Sequence, residues 1–219
     1  PPRSTLFPYT TLFRSLLATA FENHALHAYG GGWMDGLLGF RHPNSLLLNH
    51  AGSVLVISNN FRVEQSENLV LGRLLNQGTL RREGGTNTVR VQGTRLHNVG
   101  RLEIATGGVL AADLELEGAI ELEADTHLVL GQVRSDFSSR IVGPGNIEFG
   151  ERDSQGRVLL NANADLRGDV DVGGTFRVIA GESTLWQPLV RVAPVDIRGT
   201  LRLLDRKSTR LNSSHGKLS

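Results

Sequence analysis

Gly100-Arg-Leu-Glu-Ile104 and Gly118-Ala-Ile-Glu-Leu122 are one phrase written twice: glycine, a spacer residue, then apolar–polar–apolar. Alternation of this kind sends every second side chain to the same side of a strand. The phrase recurs upstream as Gly52-Ser-Val-Leu-Val56 and Gly78-Thr-Leu80. Downstream it returns as Gly145-Asn-Ile-Glu-Phe149, Gly174-Thr-Phe-Arg-Val178 and Gly199-Thr-Leu-Arg-Leu203. The glycines are 26, 22, 18, 27, 29 and 25 residues apart. Between them lie further alternating runs, among them Val89-Arg-Val91, Leu114-Glu-Leu116, Leu128-Val-Leu130 and Val170-Asp-Val172.

The pattern predicts short strands separated by turns. Each leading glycine is expected to supply a positive φ at no steric cost. Asn49, Asn76 and Asn98, two or three residues before such a glycine, are expected to share that tolerance. Two short strands per repeat cannot enclose a core, but stacked coils can. Leu102/Ile104, Ile120/Leu122, Ile147/Phe149 and Leu201/Leu203 would then form inward ladders. The expected fold is all-β, a parallel β-solenoid (β-helix) of roughly eight coils at ~20–25 residues per turn. An antiparallel β-sandwich also has closely spaced short strands, but one phrase returning at one larger period favours the coil. The solenoid is assigned to 44–204. Residues 16–43 read as an irregular or degraded first repeat, in which Phe21–Ala28 is either a short helix or part of a coil. Trp33 and Trp186 read as core or coil-edge packing.

The two ends read differently. Thr5–Ser15, T-L-F-P-Y-T-T-L-F-R-S, back-translates to a string resembling the forward adapter of a short-read sequencing library, and the preceding residues continue it. Asp205–His215, D-R-K-S-T-R-L-N-S-S-H, resembles the reverse adapter in the same way. Residues 1–15 and 205–219 are therefore expected to be translated adapter, with both native ends cut. Of the 219 residues, 26 are glycine and none is cysteine, and the formal charge is +1. Leaving out the two ends leaves 17 basic and 21 acidic residues, a net charge of −4, with arginine as the only strong base. That balance removes the basic footprint of a nucleic-acid binder. No run of 18 apolar residues is present to cross a membrane as a helix. A cysteine-free chain fits an exported protein.

Leu75-Asn-Gln-Gly-Thr-Leu-Arg-Arg-Glu-Gly-Gly85, with His97-Asn-Val-Gly-Arg-Leu-Glu-Ile104, resembles the N-x-G-T-L-x-x-x-G-G repeats of very large bacterial secreted proteins. Ser138-Ser-Arg-Ile-Val-Gly-Pro-Gly-Asn-Ile-Glu-Phe149 is similar to their S-S-x-I-x-G-x-G-x-V-x-F phrase. The resemblance covers about 44–204; the uneven period and the Pro188/Pro194 stretch depart from it. It implies an adhesin-like or autotransporter-passenger-like β-solenoid, extracellular or at the bacterial cell surface. Its partners would be neighbouring repeats of a longer parent chain and a carbohydrate or host-surface ligand. Such proteins share no catalytic residues to carry over.

The candidate chemistry is sparse. Asp113, Glu115, Glu117, Glu121 and Glu123 alternate with apolar residues and should point outward. If Glu103, Glu121 or Glu123, and Glu148 stack on one face at the ~4.8 Å strand spacing, they offer oxygens to Ca²⁺. Arg101 and other arginines spreading that charge is the plainer expectation. His24, His27, His42, His50, His97 and His127 show no zinc-ligand spacing. Gly30–Gly32 and Gly84-Gly85 lack the Lys-Ser/Thr of a phosphate loop. Asp169, Asp171 and Asp153 are the nearest approach to paired carboxylates for glycoside chemistry. No catalytic, cofactor-binding or metal residue is assigned, and no cofactor is expected. The functional expectation is a non-catalytic structural or display segment; the alternative is a fragment of a carbohydrate-active β-helix enzyme, since fold alone does not fix activity.

Overall fold

Alternation is realised as expected: in Arg95–Asn98, Arg101–Ile104 and Ala119–Leu122 every second residue is buried and the others face out. The computed structural model describes residues 20–23, 32–34, 37–40, 46–58, 61–65, 72–186 and 195–204. Over these the chain winds as a parallel β-solenoid without a helix. The expected adapter segments, Ala28, and the Pro188/Pro194 stretch lie outside the described residues.

Where a coil is described throughout it has three strands, one more than the sequence pattern suggested. The first face runs through Ala20–Asn23, Leu46–Asn49, Arg73–Asn76, Arg95–Asn98, 113–116, 132–135, Ala162–Leu166, Gly181–Leu185 and Thr200–Leu203. The second runs through Gly32–Met34, Val54–Ile57, Thr79–Arg82, Arg101–Ile104, Ala119–Leu122, Arg140–Gly143 and Asp169–Val172. The third runs through Leu37–Phe40, Arg62–Gln65, Thr88–Val91, 108–111, 127–130, Asn146–Phe149, Phe176–Val178 and Val195–Ile197. Gly108–Leu116 and His127–Ser135 continue unbroken round the corner from third face to first. Every one of these pairings is parallel. The exception is a small antiparallel hairpin, Glu151–Arg152 with Val158–Leu160, that leaves the third face.

The pairing registers give the true coil lengths. Leu96 faces Leu114 after 18 residues, whereas Gln132 faces Asn163 after 31 because the hairpin is inserted in that coil. The glycine phrase is uneven for a second reason, which is that it changes face. Gly52, Gly78, Gly100 and Gly118 precede second-face strands, Gly145 and Gly174 third-face strands, and Gly199 a first-face strand. Leu102/Ile104 therefore stack on Ile120/Leu122. Ile147/Phe149 belong to a different ladder, between Leu128/Leu130 and Phe176/Val178. There the Phe149 and Phe176 rings meet at 5.3 Å, tilted by 46°. Leu201/Leu203 follow Ser183/Leu185 on the first face, and Leu203 is 54% exposed.

The glycines serve mainly close approach. Gly52 has φ 79°, but Gly78, Gly100 and Gly118 are not in the left-handed region. A Cβ on Gly100 would be driven into the Gly78 carbonyl oxygen, and one on Gly118 into the Gly100 carbonyl oxygen. Those same oxygens accept the Arg101 and Ala119 amides of the next coil. A side chain there would force the coils apart at the corner. The asparagines also play a different part from the one expected. Asn49, Asn76 and Asn98 end first-face strands with extended backbones, and all three are fully buried. Asn49 Nδ2 donates to Asn76 Oδ1 at 2.7 Å, and Asn76 Nδ2 to Asn98 Oδ1 at 2.6 Å. Each amide also donates across the corner, to Thr79 O, Arg101 O and Ala119 O in turn. Buried amide groups must be paired, and this ladder pairs them along the solenoid axis. Asn23 stands in backbone register with Asn49.

Candidate functional site

The third face and the inserted hairpin enclose a groove of about 500 Å³. Its floor carries the outward side chains of three strands: Thr88, then, past Gly108 on the strand between, His127 and Val129, then Asn146 and Glu148. Thr175 and Arg177 from the following coil close one side, and Glu151 and Arg152 at the root of the hairpin close the other. Strand alternation accounts for the floor, since the residues between these point into the core.

The charged groups of the groove are held in pairs. Arg90 donates to both oxygens of Glu151 at 3.0 and 2.7 Å, which ties the hairpin to the third face. That hydrogen bond first, with Glu151's charge behind it, raises the Arg90 guanidinium above its ordinary pKa against the opposing effect of burial. Arg177 donates to Glu148 at 3.1 Å. Arg152 donates to the Ile179 and Gly156 carbonyls at 3.1 and 2.7 Å and so braces the hairpin loop. His127 Nε2 lies at hydrogen-bond distance from Thr88 Oγ1. The result is a polar trough with fixed donors and acceptors.

The structure separates the three aspartates considered for glycoside chemistry. Asp169 and Asp171 face outward from the second face, as alternation required. Asp153 sits in the hairpin loop beyond the third face, where its carboxylate accepts from the Gln155 and Arg157 amides and from Arg157 Nε. Desolvation works to raise its pKa, but the Arg157 side chain and those two amides together hold the carboxyl below the usual aspartate range. It is a loop clasp.

The acidic stack resolves in the plainer way. Glu103 and Glu121 are cross-strand neighbours on the second face. Arginines sit between them: Arg101 contacts Glu103 at 3.0 Å and Glu121 at 3.4 Å, and Arg140 reaches Glu121 at 3.6 Å. Glu103 first, and Glu121 next, hold the Arg101 guanidinium above its ordinary pKa. Glu148 is on the third face, so it never joins that row. Trp186 packs at a corner: its indole N–H donates to Asp165, and Arg167 lies between its ring and that of Phe137, 5.7 and 5.8 Å from the centroids. The strand containing Trp33 pairs with Val54–Ile57, while its side chain lies outside the described residues.

One constellation escaped the sequence reading. His97, Glu115 and Glu117 can each bring one donor atom within 4.8 Å of the others. They are 18 and 20 residues apart along the chain, one coil apart in space, so no short-range spacing betrays them. No protein family, curated protein or solved structure matches the chain.

Proposed function

We propose that this chain is a shaft segment of a bacterial surface or secreted β-solenoid, displaying other parts of a longer chain and offering its outer faces for adhesion. The observation that carries the reading is a division of labour between inward and outward positions. Inward positions form apolar and asparagine ladders, interrupted by the buried Arg82 and Ser183, and the outward carboxylates of Glu103, Glu121 and Glu148 are bridged by arginines from neighbouring coils. Stability of such an array is a sum of neighbour contacts, which suits a stiff spacer whose exterior can vary. The groove beneath the hairpin is the natural ligand surface, and its fixed polar groups suit a carbohydrate.

A second reading, a carbohydrate-active β-helix enzyme, draws on the same groove, because Glu148, Glu151 and His127 line it together. In the display reading both glutamates are committed to arginines. The test incubates the full chain with a panel of neutral and anionic polysaccharides and measures both retention and product. Retention that falls on Arg177→Ala, with no new reducing ends or unsaturated sugars, is the expected result. Product formation lost on Glu148→Gln would replace the display reading with the enzyme.

A further inference from the structure

His97 is the third residue of Arg95–Asn98, and Glu115 stands directly beside it one coil on. Both are outward positions of the first face and both are half-buried. Glu117 follows in the turn, with its Oε1 2.9 Å from His97 Nε2. Two carboxylates this close repel each other unless a cation lies between them. At four other exterior carboxylates arginine is that cation: Arg81 and Arg101 for Glu103, Arg101 and Arg140 for Glu121, Arg177 for Glu148, Arg90 for Glu151. Here none arrives. Among the described residues the Glu115 carboxylate has no hydrogen bond or ion pair, and that of Glu117 meets only His97. Arg134, the neighbour of Glu115 on the following coil, forms no ion pair with it.

We propose that His97, Glu115 and Glu117 bind a borderline divalent transition ion of the Zn²⁺ class. One imidazole and two carboxylates make a three-ligand set that leaves a fourth position to water. Bonds of about 2.0–2.1 Å place donors about 3.3 Å apart around a tetrahedral ion, and these three donors now lie within 4.8 Å of one another. The imidazole sets the preference: Ca²⁺ and Mg²⁺ take oxygen ligands, whereas imidazole suits Zn²⁺ and its neighbours. The ion would bridge two successive coils across the first face and relieve the glutamate repulsion. It supplies a local staple in a chain that has no cysteine to make one.

The test is calorimetric titration of the full chain with ZnCl₂, beside thermal melts with Zn²⁺, Ca²⁺ or Mg²⁺. One Zn²⁺ equivalent should be lost, or weakened at least about tenfold, in both His97→Ala and Glu115→Gln, each checked for an unchanged β-type circular dichroism spectrum. Zn²⁺ at about a hundredfold excess over Kd should raise the wild-type melting point by about 5 °C or more, and Ca²⁺ or Mg²⁺ at the same concentration should not. Zn²⁺ binding unchanged in both variants, no Zn²⁺ binding by the wild type, or an equal response to Ca²⁺ would each overturn the proposal. Glu117→Gln separates the roles: a ligand loses affinity, whereas a mere partner of His97 leaves it intact and refutes the three-residue site.

Discussion

Replacing Asn76 by alanine removes the middle rung of the buried amide ladder. Three hydrogen bonds go with it: those from Asn49 Nδ2 at 2.7 Å, to Asn98 Oδ1 at 2.6 Å and to Arg101 O at 2.8 Å. Each is worth about 1 kcal/mol net, and leaving the buried Asn98 oxygen without its amide donor adds a further desolvation cost of about 1 kcal/mol or more. The expected loss is about 4 kcal/mol, a large part of the 5–15 kcal/mol typical of folded domains. Urea unfolding followed by circular dichroism reads it directly, with the exposed Gln77→Ala as a control expected within about 0.5 kcal/mol of the wild type. The ladder also predicts an order. Leu116 holds the corresponding place one coil beyond Asn98, so an apolar side chain fits the row at that end. Asn98→Leu breaks one amide link and should cost less than Asn76→Leu, which breaks two. If Asn76→Ala loses no more than the control, or if Asn98→Leu is the worse variant, the ladder does not hold the coils as argued.

Other outcomes follow from the same geometry. Gly118→Ala should destabilise by several kcal/mol, since its Cβ meets the Gly100 carbonyl oxygen, whereas Gly84→Ala has open space and pays only for φ +82°, about 1 kcal/mol; paired urea midpoints compare them. Arg82 is fully buried and its guanidinium donates to the Glu83, Gly84 and Asn87 carbonyls, with desolvation lowering its pKa. Arg82→Met should therefore loosen 83–87, seen as faster amide exchange there. Arg90→Ala should release the hairpin from the third face at a cost of about 1 kcal/mol, and limited proteolysis at 153–157 should accelerate. The Asp153 carboxyl is depressed in the folded chain, so its clasp is fully present above the unfolded aspartate value of about 3.9 and lost as pH falls through the lower folded value. Exchange at Gln155 and Arg157 should rise only in that acidic window.

The coil was legible because alternation is a property of single strands, and Gly100–Ile104 or Gly118–Leu122 carry it whole. The number of sides was not. Gly108–Leu116 and His127–Ser135 run through a corner unbroken, so third-face and first-face strands read there as one run, and the glycine phrase marks third-face strands only at Gly145 and Gly174. Asn76 looked like a turn residue because two residues separate it from Gly78, but its amide is used along the axis, between coils that sequence distance does not connect. The same holds at the candidate sites. Glu103 and Glu121 were readable as neighbours because both follow the phrase, and the arginines that neutralise them were anticipated. His97 with Glu115 depended on the 18-residue register of one particular coil. The groove depended on the 31-residue coil, whose extra length in the sequence looked like drift and in the structure is a hairpin.

The solenoid rests on in-register stacking, and the absence of cysteine allows that to be measured with spin labels placed at will. Val56, Arg81, Glu103, Glu121, Val142 and Asp171 occupy one outward row of the second face, each in register with the next. Cysteine pairs drawn from this row, labelled and read by double electron–electron resonance, should give separations that grow by about 4.8 Å per coil. Val56 to Asp171 should come to about 24 Å, whether the intervening coils are long or short. Separations that track the number of residues between labels, or that fail to increase from coil to coil, would contradict the solenoid.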